Sequence, residues 1–261
     1  MNILALLLIT AALINGNIGK DDNFDYFELT LIYPTSVCRT KETIDDFCKV
    51  PIDAAPWTIH GLWPNRNDGS FPQFCGGETK KFVLSKLLPI EKKLERNWPN
   101  LFVTQSVSSL WKHEWIKHGT CAEIVEEVND EIKYFNKSLA LHEQFDIFGI
   151  LEKHGIVPSQ KKSYSWLLLH QNLISAYGKN VQFHCLEDKE TKKWLLADVR
   201  LCLTKNFQLM DCKEKLQQSQ TSENPFLSTF RPCPADDIVY FPFSNTHSIN
   251  NNDFTAGQKE L

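Results

Sequence analysis

Eight cysteines constrain the fold of this chain more than any other feature of its sequence. They are Cys38, Cys48, Cys75, Cys121, Cys185, Cys202, Cys212 and Cys233. The number is even and no C-x-x-C pair occurs, so four disulfides formed in an oxidising compartment are a better interpretation than a zinc knuckle. Eight cysteines allow about 105 pairings. The short spacings from Cys38 to Cys48 and from Cys202 to Cys212 favour two local loops.

Residues 1–19 predict that the chain is exported. Residues 3–14 are almost entirely apolar, and small or polar residues follow over 15–19. The run is shorter than the ~20 residues of a membrane span, and it fits a signal peptide cut after Gly16 or Gly19. A buried N-terminal helix is the alternative. No later run approaches spanning length, so we expect a soluble, exported mature protein.

The composition is that of a globular protein. Hydrophobic residues make up 42% of the chain, charged residues 23% and aromatic residues 11%, which excludes a disordered, collagenous or membrane-spanning class. The formal charge is −4 at pH 7, so bulk charge gives no reason to expect tight polyanion binding. Protonating all eight histidines would bring the charge to +4, which would favour an anionic partner in acid.

The residue pattern predicts a single α+β domain. Alternating or aromatic-rich segments indicate strands over 26–33, 56–64, 181–186 and 194–203. Apolar residues at helical spacing indicate helices over 79–96, 108–118 and 138–153. Helices in the middle and strands at both ends favour a mixed or antiparallel central sheet with flanking helices. No repeat or long linker divides the chain, so we expect one domain over 20–243 and a polar tail over 244–261.

The first informative segment is Trp57-Thr58-Ile59-His60-Gly61-Leu62-Trp63-Pro64. In a regular strand, His60 points to the same face as Thr58 and Leu62 and away from Ile59. A histidine among so many apolar residues could simply be a hydrogen-bonded core residue. For this segment alone, that interpretation stays open.

The second informative segment is Trp111-Lys112-His113-Glu114-Trp115-Ile116-Lys117-His118-Gly119-Thr120-Cys121. On a helix with about 100° per residue, four ionisable residues share one face of about 140°, with Ile116 on the opposite side. They form the i,i+4 pairs His113/Lys117 and Glu114/His118. Two histidines beside a glutamate and a lysine are unusual for a solvated face, so this segment favours a functional site.

A zinc protease of the H-E-x-x-H type is not predicted. The position four after His113 is Lys117, and the second histidine, His118, comes five after it. On a regular helix this spacing places the two rings about 140° apart, which is poor geometry for chelating one zinc ion. We therefore expect no metal and no cofactor.

Cleavage of RNA by its own 2′-hydroxyl needs the residue types found in these two segments. A base takes the 2′-hydroxyl proton, an acid protonates the departing 5′-oxygen, and cations stabilise the charge that builds up on phosphorus. Histidine titrates in the useful pH range, and a neighbouring lysine or carboxylate tunes it. No metal is required, because the nucleophile belongs to the substrate.

Together the two segments closely resemble the active-site signatures of the ribonuclease T2 family, the secreted acid endoribonucleases. The resemblance extends from about Phe27 to Phe243 and includes the order of the cysteines. It implies an α+β fold, a single-stranded RNA substrate and cleavage through a 2′,3′-cyclic phosphate. It also implies four disulfides: Cys38–Cys48, Cys75–Cys121, Cys185–Cys233 and Cys202–Cys212.

The resemblance also implies a role for each polar residue of the two segments. His118 would be the general base and His60 the general acid, while Glu114 and Lys117 would stabilise the phosphorane. His113 would help to hold the phosphate. Near pH 5 we expect Glu114 to keep enough negative charge to orient the His118 ring.

Departures from the family pattern leave the base preference open. Asn65 stands where many relatives have Asp, and an amide can both donate and accept hydrogen bonds. Trp63 and Phe71 are available for stacking on bases, a contact worth roughly 1–3 kcal/mol per base and tolerant of sequence. Leu110 stands where an aromatic residue is common at the second base site. We therefore expect low base specificity.

The remaining expectations concern partners and location. We expect a monomer that cleaves single-stranded RNA but not DNA, binds no membrane, and works outside the cell or in a lysosomal or endosomal lumen. The sequon at Asn136 predicts a glycan that receptors could recognise. The alternative function is a secreted binding or signalling protein that keeps the fold and acts through its surface. The C-terminal Gln-Lys-Glu-Leu matches an ER-retrieval signal only distantly.

Overall fold

The computed structural model describes residues 23–40, 48–77, 80–102, 104–213 and 230–242. The expected signal peptide over 1–19 and the expected tail over 244–261 lie outside the described residues. Among the helices that are described, none is both long and apolar enough to cross a membrane.

One sheet organises the described part of the chain. Its strands are β1 (Tyr26–Ile32), β2 (Thr58–Asn65), β3 (Gln182–Glu187), β4 (Trp194–Leu203), β5 (Leu209–Met210), β6 (Arg231–Pro232) and β7 (Ile238–Val239). The strand order is β2-β1-β4-β3-β6, with β5 and β7 paired to β4. The β4–β7 pairing is parallel and the other pairings are antiparallel. The predicted α+β fold is confirmed.

Seven α-helices accompany these strands in the described residues. They are α1 (Pro34–Arg39), α2 (Glu91–Asn97), α3 (Val107–Glu114), α4 (Thr120–Ala122), α5 (Glu131–Gln144), α6 (Ile147–Lys153) and α7 (Trp166–Tyr177). A π-helical turn over Trp115–Gly119 connects α3 to α4. This turn, α2 and α5 contact β2, so the middle of the chain packs against the strand at one end of the sheet order.

Two of the predicted helices are interrupted in the structure. The segment predicted over 79–96 is 3-10 helical over Leu84–Ile90 and α-helical only over α2, consistent with the missing N–H of Pro89. The segment predicted over 138–153 is divided between α5 and α6. Asp146 lies at the division and accepts a hydrogen bond from the Gly149 N–H, which starts a new helix at that point.

The two faces of the sheet differ in character. On β1, Leu29 and Leu31 pack into the main apolar core, whereas Glu28 and Thr30 point to the opposite face and are buried there. On β4, Arg200 pairs with Thr30, so it lies on that second, polar face.

All four expected disulfides are present. Cys38–Cys48 and Cys202–Cys212 close local loops, while Cys75–Cys121 and Cys185–Cys233 link segments that are distant in the sequence. The Cys75–Cys121 bond joins the loop after β2 to α4, directly after the second histidine segment.

Candidate active site

A bulge in β2 sets the direction of His60. Thr30 of β1 pairs with Gly61, but the next residue, Leu31, pairs with Ile59. His60 is therefore the extra residue of the bulge. Bulges re-aim a side chain and are frequent beside active sites.

The bulge also changes which residues of β2 share a face. Ile59 and Leu62 are three positions apart, yet both lie in the apolar core and pair with core residues of β1 that share one face. The prediction that His60 shares one face with both Thr58 and Leu62 is wrong. Strict alternation fails because one residue is inserted between Thr58 and Leu62.

A π-helical turn changes the geometry of the second histidine segment. Helix α3 ends at Glu114, and Trp115–Gly119 continue as a π-helix. Hydrogen bonds in a π-helix span five residues, so residues five apart lie on the same side. The predicted separation of His113 and His118 around the helix is therefore wrong, and their ring centroids lie 6.4 Å apart.

The same turn brings a possible set of metal ligands together. One donor atom each from His113, Glu114 and His118 lies within 4.8 Å of the others. The geometric reason for excluding a metal is therefore wrong, and these are the residues that could hold one. Burial raises the pKa of the Glu114 carboxyl group to about 8 when no cation is bound, so a metal ion that used this ligand would have to displace its proton.

The indole of Trp63 lies at the centre of the site. Its ring centroid is 5.0 Å from that of His60 and 5.4 Å from that of His118, and its Nε1 donates to Glu114 Oε2 at 2.8 Å. Gly61 leaves room for this hydrogen bond, because a Cβ there would lie 2.0 Å from the Trp63 Nε1 and 2.4 Å from the Glu114 Oε2. One buried side chain therefore joins the two histidine segments.

His60 and His118 are both buried and neutral at pH 7. Burial and then the charge of Arg200 lower the pKa of His60 to about 3, and Asp198 partly opposes that shift. Burial and then Lys117 lower the pKa of His118 well below its usual value. Each ring therefore takes up a proton only at low pH or when an anion enters the site.

Glu114 differs from the sequence-based expectation. It is 1% exposed, and burial raises its pKa to about 8, although the Trp63 hydrogen bond and Lys117 act in the opposite direction. The carboxyl group is consequently protonated near pH 5, so the prediction that it orients His118 as an anion is wrong. A neutral carboxyl group has an O–H to donate into the site instead.

His113 and Lys117 lie at the open side of the site. His113 is exposed and Lys117 is half-buried. Desolvation and then the charge of Lys117 lower the pKa of His113. The Lys117 carbonyl accepts a hydrogen bond from the Phe74 N–H at 2.9 Å, which attaches the loop before Cys75 to the π-helical turn.

The three residues expected to bind bases are placed differently from one another. Trp63 and Asn65 are buried, and the Asn65 Nδ2 donates to the Trp63 carbonyl at 3.2 Å. Phe71 is half-buried, and its ring centroid is 6.3 Å from that of His118. The geometry favours positioning roles for Trp63 and Asn65, and base contact by all three residues stays a prediction.

Sequence reasoning missed the residues that hold the site in place. The Trp98 Nε1 donates to the His60 carbonyl at 3.0 Å, and the Tyr134 hydroxyl donates to the Leu62 carbonyl at 2.9 Å. Arg200, much later in the chain, is the charged group with the largest effect on His60. No local pattern marks these residues, because each partner is distant in the sequence.

Comparison with known proteins points to one family. The sequence profile described as the Ribonuclease T2 family matches residues 24–212. The "Ribonuclease T2 protein rnst-2" of Caenorhabditis elegans is 38% identical over 253 residues, which cover 92% of this chain and 89% of that protein. The human "Ribonuclease T2" is 32% identical over 239 residues, which cover 86% of this chain and 88% of that protein.

Solved structures share the architecture. The crystal structure of human RNase T2 matches with a TM-score of 0.66 and 28% identity, over 84% of this chain and 99% of that one. The structure of RNase NT in complex with 5′-AMP matches with a TM-score of 0.70 and 26% identity, over 85% of this chain and 100% of that one.

Proposed function

This chain belongs to the ribonuclease T2 family and is an endoribonuclease of that type, and on this premise we propose that it cleaves single-stranded RNA without a metal ion, through a 2′,3′-cyclic phosphate. The observation that carries the proposal is the pair of buried rings, His60 and His118, which pack against the same indole of Trp63. An acid and a base in one site are what attack by the 2′-hydroxyl needs.

In this proposal His118 takes the proton of the 2′-hydroxyl, and His60 protonates the departing 5′-oxygen. The low pKa of His118 leaves its ring neutral and able to accept a proton. A bound phosphate is an anion beside both rings, so it raises the pKa of each above the value in the free site. Cleavage leaves His118 charged and His60 neutral. When water then hydrolyses the cyclic phosphate, His60 accepts a proton from the water and His118 gives its proton back to the 2′-oxygen, so both rings return to their starting states.

Lys117 and Glu114 stabilise the phosphorane in this proposal. Lys117 supplies a positive charge beside the developing negative charge. The Glu114 Oε2 accepts the Trp63 hydrogen bond, which leaves Oε1 to carry the proton and donate to a phosphoryl oxygen. His113, at the open side, helps to hold the phosphate.

We expect full cleavage of single-stranded RNA in EDTA, with 2′,3′-cyclic phosphate ends, and no cleavage of DNA, because DNA lacks the 2′-hydroxyl. The measurement is end-group analysis at pH 5 with EDTA, without EDTA, and with zinc added after EDTA. His113, Glu114 and His118 are the residues that a metal would use. Activity lost in EDTA and restored by zinc would contradict the proposal and make these residues a metal centre.

The pH profile of kcat should have an acid optimum. The acid, His60, must be protonated, so the rate falls as the pH rises through its pKa in the complex, and it falls in acid when His118 is protonated. Because the pKa of His60 is only about 3 in the free protein and phosphate raises it, we expect an optimum between about pH 4.5 and 6.5, at or below the usual histidine value. An optimum above about pH 8 at saturating RNA would contradict the histidine assignment.

The gain of positive charge in acid is smaller than composition alone indicates. Four of the eight histidines have a lowered pKa: His60, His113, His118 and His142. Each of these four takes up a proton at lower pH than an ordinary histidine, so acidification adds less positive charge than the number of histidines indicates. The attraction of RNA at working pH therefore depends more on local groups such as Lys117 than on the charge of the whole protein.

Low base specificity is part of the proposal. The half-buried ring of Phe71 can stack on any base, because every base has a π-face. The relative RNase NT was solved with 5′-AMP, which supports a nucleotide site in this fold. Asn65 and Trp63 would then act by holding each other and the histidines in place.

We further propose that the mature protein is an exported monomer that works outside the cell or in a lysosomal or endosomal lumen. Four disulfides support folding in an oxidising compartment. Asn136 is exposed on α5, which supports a glycan at this position. Receptors that recognise the glycan are the further partner we propose.

A further inference from the structure

A buried ion cluster lies beside the site, and the proposed proton transfers do not use it. Arg200 donates to Asp198 Oδ2 from Nε and from Nη2, both at 3.1 Å, and to Glu28 Oε1 from Nη1 at 3.1 Å. Asp198 and Glu28 are each 1% exposed. Two buried carboxylates on neighbouring strands, β4 and β1, therefore hold the guanidinium.

A fourth residue fixes the far end of the cluster. Asp198 Oδ1 accepts a hydrogen bond from the His184 N–H at 3.0 Å and lies 2.7 Å from the His184 Nδ1. Burial alone would raise the pKa of Asp198, but Arg200 and His184 have the larger effect and hold that pKa below its usual value. This carboxylate therefore stays ionised. The cluster of Glu28, Arg200, Asp198 and His184 thus spans β1, β4 and β3.

The near end of the cluster meets the indole at the centre of the site. The Arg200 Cζ lies over the Trp63 ring, 6.0 Å from its centroid, within range of a cation–π contact. Glu28 is the β1 residue that pairs with Trp63. Arg200 is therefore one side chain away from both His60 and His118.

We propose that Arg200 is a positioning residue, which holds the Trp63 indole against the two histidines and sets the pH range in which His60 delivers its proton. Asp198 orients the guanidinium and offsets its charge. The inference rests on the proposed role of His60 as the acid. A buried ion pair is weak evidence for stability, so four ionisable groups beside the site favour a functional reason.

The charged and titratable groups around His60 and Trp63 come from three parts of the fold. They are Arg200 and Asp198 of β4, Glu28 of β1, and His113, Glu114, Lys117 and His118 of the helical segment. After burial, Arg200 has the largest effect in lowering the pKa of His60, and Asp198 acts in the opposite direction. Two substitutions in one ion pair should therefore move the titration of His60 in opposite directions.

Arg200→Gln removes the charge that lowers the pKa of His60, so the high-pH limb of kcat should move to higher pH, by about one pH unit, as is typical for a nearby charge. Asp198→Asn removes the negative charge at nearly constant shape, so the same limb should move to lower pH. Arg200→Lys keeps the charge but loses the planar group that donates to Asp198 and Glu28 at the same time. It should leave the limb in place and lower kcat by about tenfold, because the indole is held less firmly.

Two measurements are needed for each variant: the pH profile of kcat, and an NMR titration of the His60 ring, which does not depend on cleavage. Arg39 provides a matched control, because it pairs with Asp188 and Glu190 at the turn between β3 and β4. Arg39→Gln removes an equal charge from an ion pair, and we expect it to leave the His60 titration unchanged.

Opposite shifts of the His60 titration in Arg200→Gln and Asp198→Asn, with none in Arg39→Gln, support the inference. If the His60 titration shifts in the same direction in both variants, or does not shift in variants that fold, the inference is overturned. The cluster would then only stabilise the fold. If Arg200→Gln does not fold, the other two variants decide the question. The inference then requires that the high-pH limb of kcat moves to lower pH in Asp198→Asn and stays in place in Arg200→Lys. Opposite NMR shifts combined with full activity of His60→Ala would instead overturn the role of His60 as the acid.

Discussion

Replacing His60 or His118 with alanine is expected to lower kcat on single-stranded RNA by at least ~10²-fold, the lower end of what a positioned acid or base contributes. The remaining histidine cannot replace the missing one, because one ring serves the 2′-hydroxyl and the other serves the departing 5′-oxygen. Both rings are buried against Trp63, so bulk water does not reach their positions freely.

The double variant distinguishes one concerted unit from two independent contributions. If His60 and His118 act together, the loss in the double variant is close to the larger single loss and far below the product of the two. His113→Ala should be milder and should also raise KM, because this exposed ring is expected to hold the phosphate. His154→Ala removes an exposed histidine at the end of α6 and should leave kcat unchanged.

The variants must be compared as folded proteins, because removing a buried ring leaves a cavity beside Trp63. Unfolding midpoints in urea at pH 5 give that comparison. Small and equal effects at His60, His113 and His118 in folded variants would contradict the mechanism and would make these residues ordinary core or surface histidines.

Strands could be predicted where burial on one face produces alternation. The predicted limits of β1, β3 and β4 lie within one residue of the observed ones, because each strand has one face in the apolar core. Helix α7 is missed because its residues are apolar on several sides. Its ends carry ordinary signals: the Ser165 side chain accepts from the Leu168 N–H, and Gly178 adopts a left-handed φ of 65°.

The geometry of the site could not be predicted, because two local irregularities determine it. Period-2 alternation on β2 and about 100° per residue on a helix both assume regular structure. The bulge at His60 and the π-helical turn before His118 each break one of these rules. Departures of this kind are expected at functional sites. The predicted facing of His60 and of His118 is therefore wrong, and the catalytic roles of both residues stay a prediction.

The charge of Glu114 could not be predicted for a different reason. The sequence places a glutamate beside a lysine and two histidines, which favours an ionised carboxylate. Burial has the larger effect and raises the pKa of Glu114 to about 8. Burial depends on Trp63 and on the packing of β2 against the helical segment, which no local sequence pattern reveals.

Removing the Cys75–Cys121 disulfide is the second large effect we expect. The bond joins residues 46 positions apart, and a loop of that size contributes about 4 kcal/mol in the chain-entropy model. Cys75→Ala combined with Cys121→Ala should lower the free energy of unfolding by that order, measured in urea at pH 5. Replacing both cysteines avoids a free thiol that could exchange with the remaining disulfides.

Activity should fall as well in the protein that remains folded. Cys121 follows His118 by three residues, and the Phe74 N–H bonds to the Lys117 carbonyl. The disulfide and this hydrogen bond together fix the loop that carries Phe71 against the π-helical turn. Proton transfer depends on such fixed spacing, so we expect kcat, measured well below the unfolding temperature, to fall by about tenfold or more.

Cys38–Cys48 gives a matched control for this double variant. It joins residues 10 positions apart, which corresponds to about 3 kcal/mol, and it packs in a separate apolar cluster. Cys38→Ala with Cys48→Ala should therefore lower stability and leave kcat unchanged. If neither double variant loses kcat, the π-helical turn holds His118 without help from Cys75–Cys121. A loss confined to the Cys75–Cys121 variant would mean that oxidative folding is a condition for the chemistry as well as for stability.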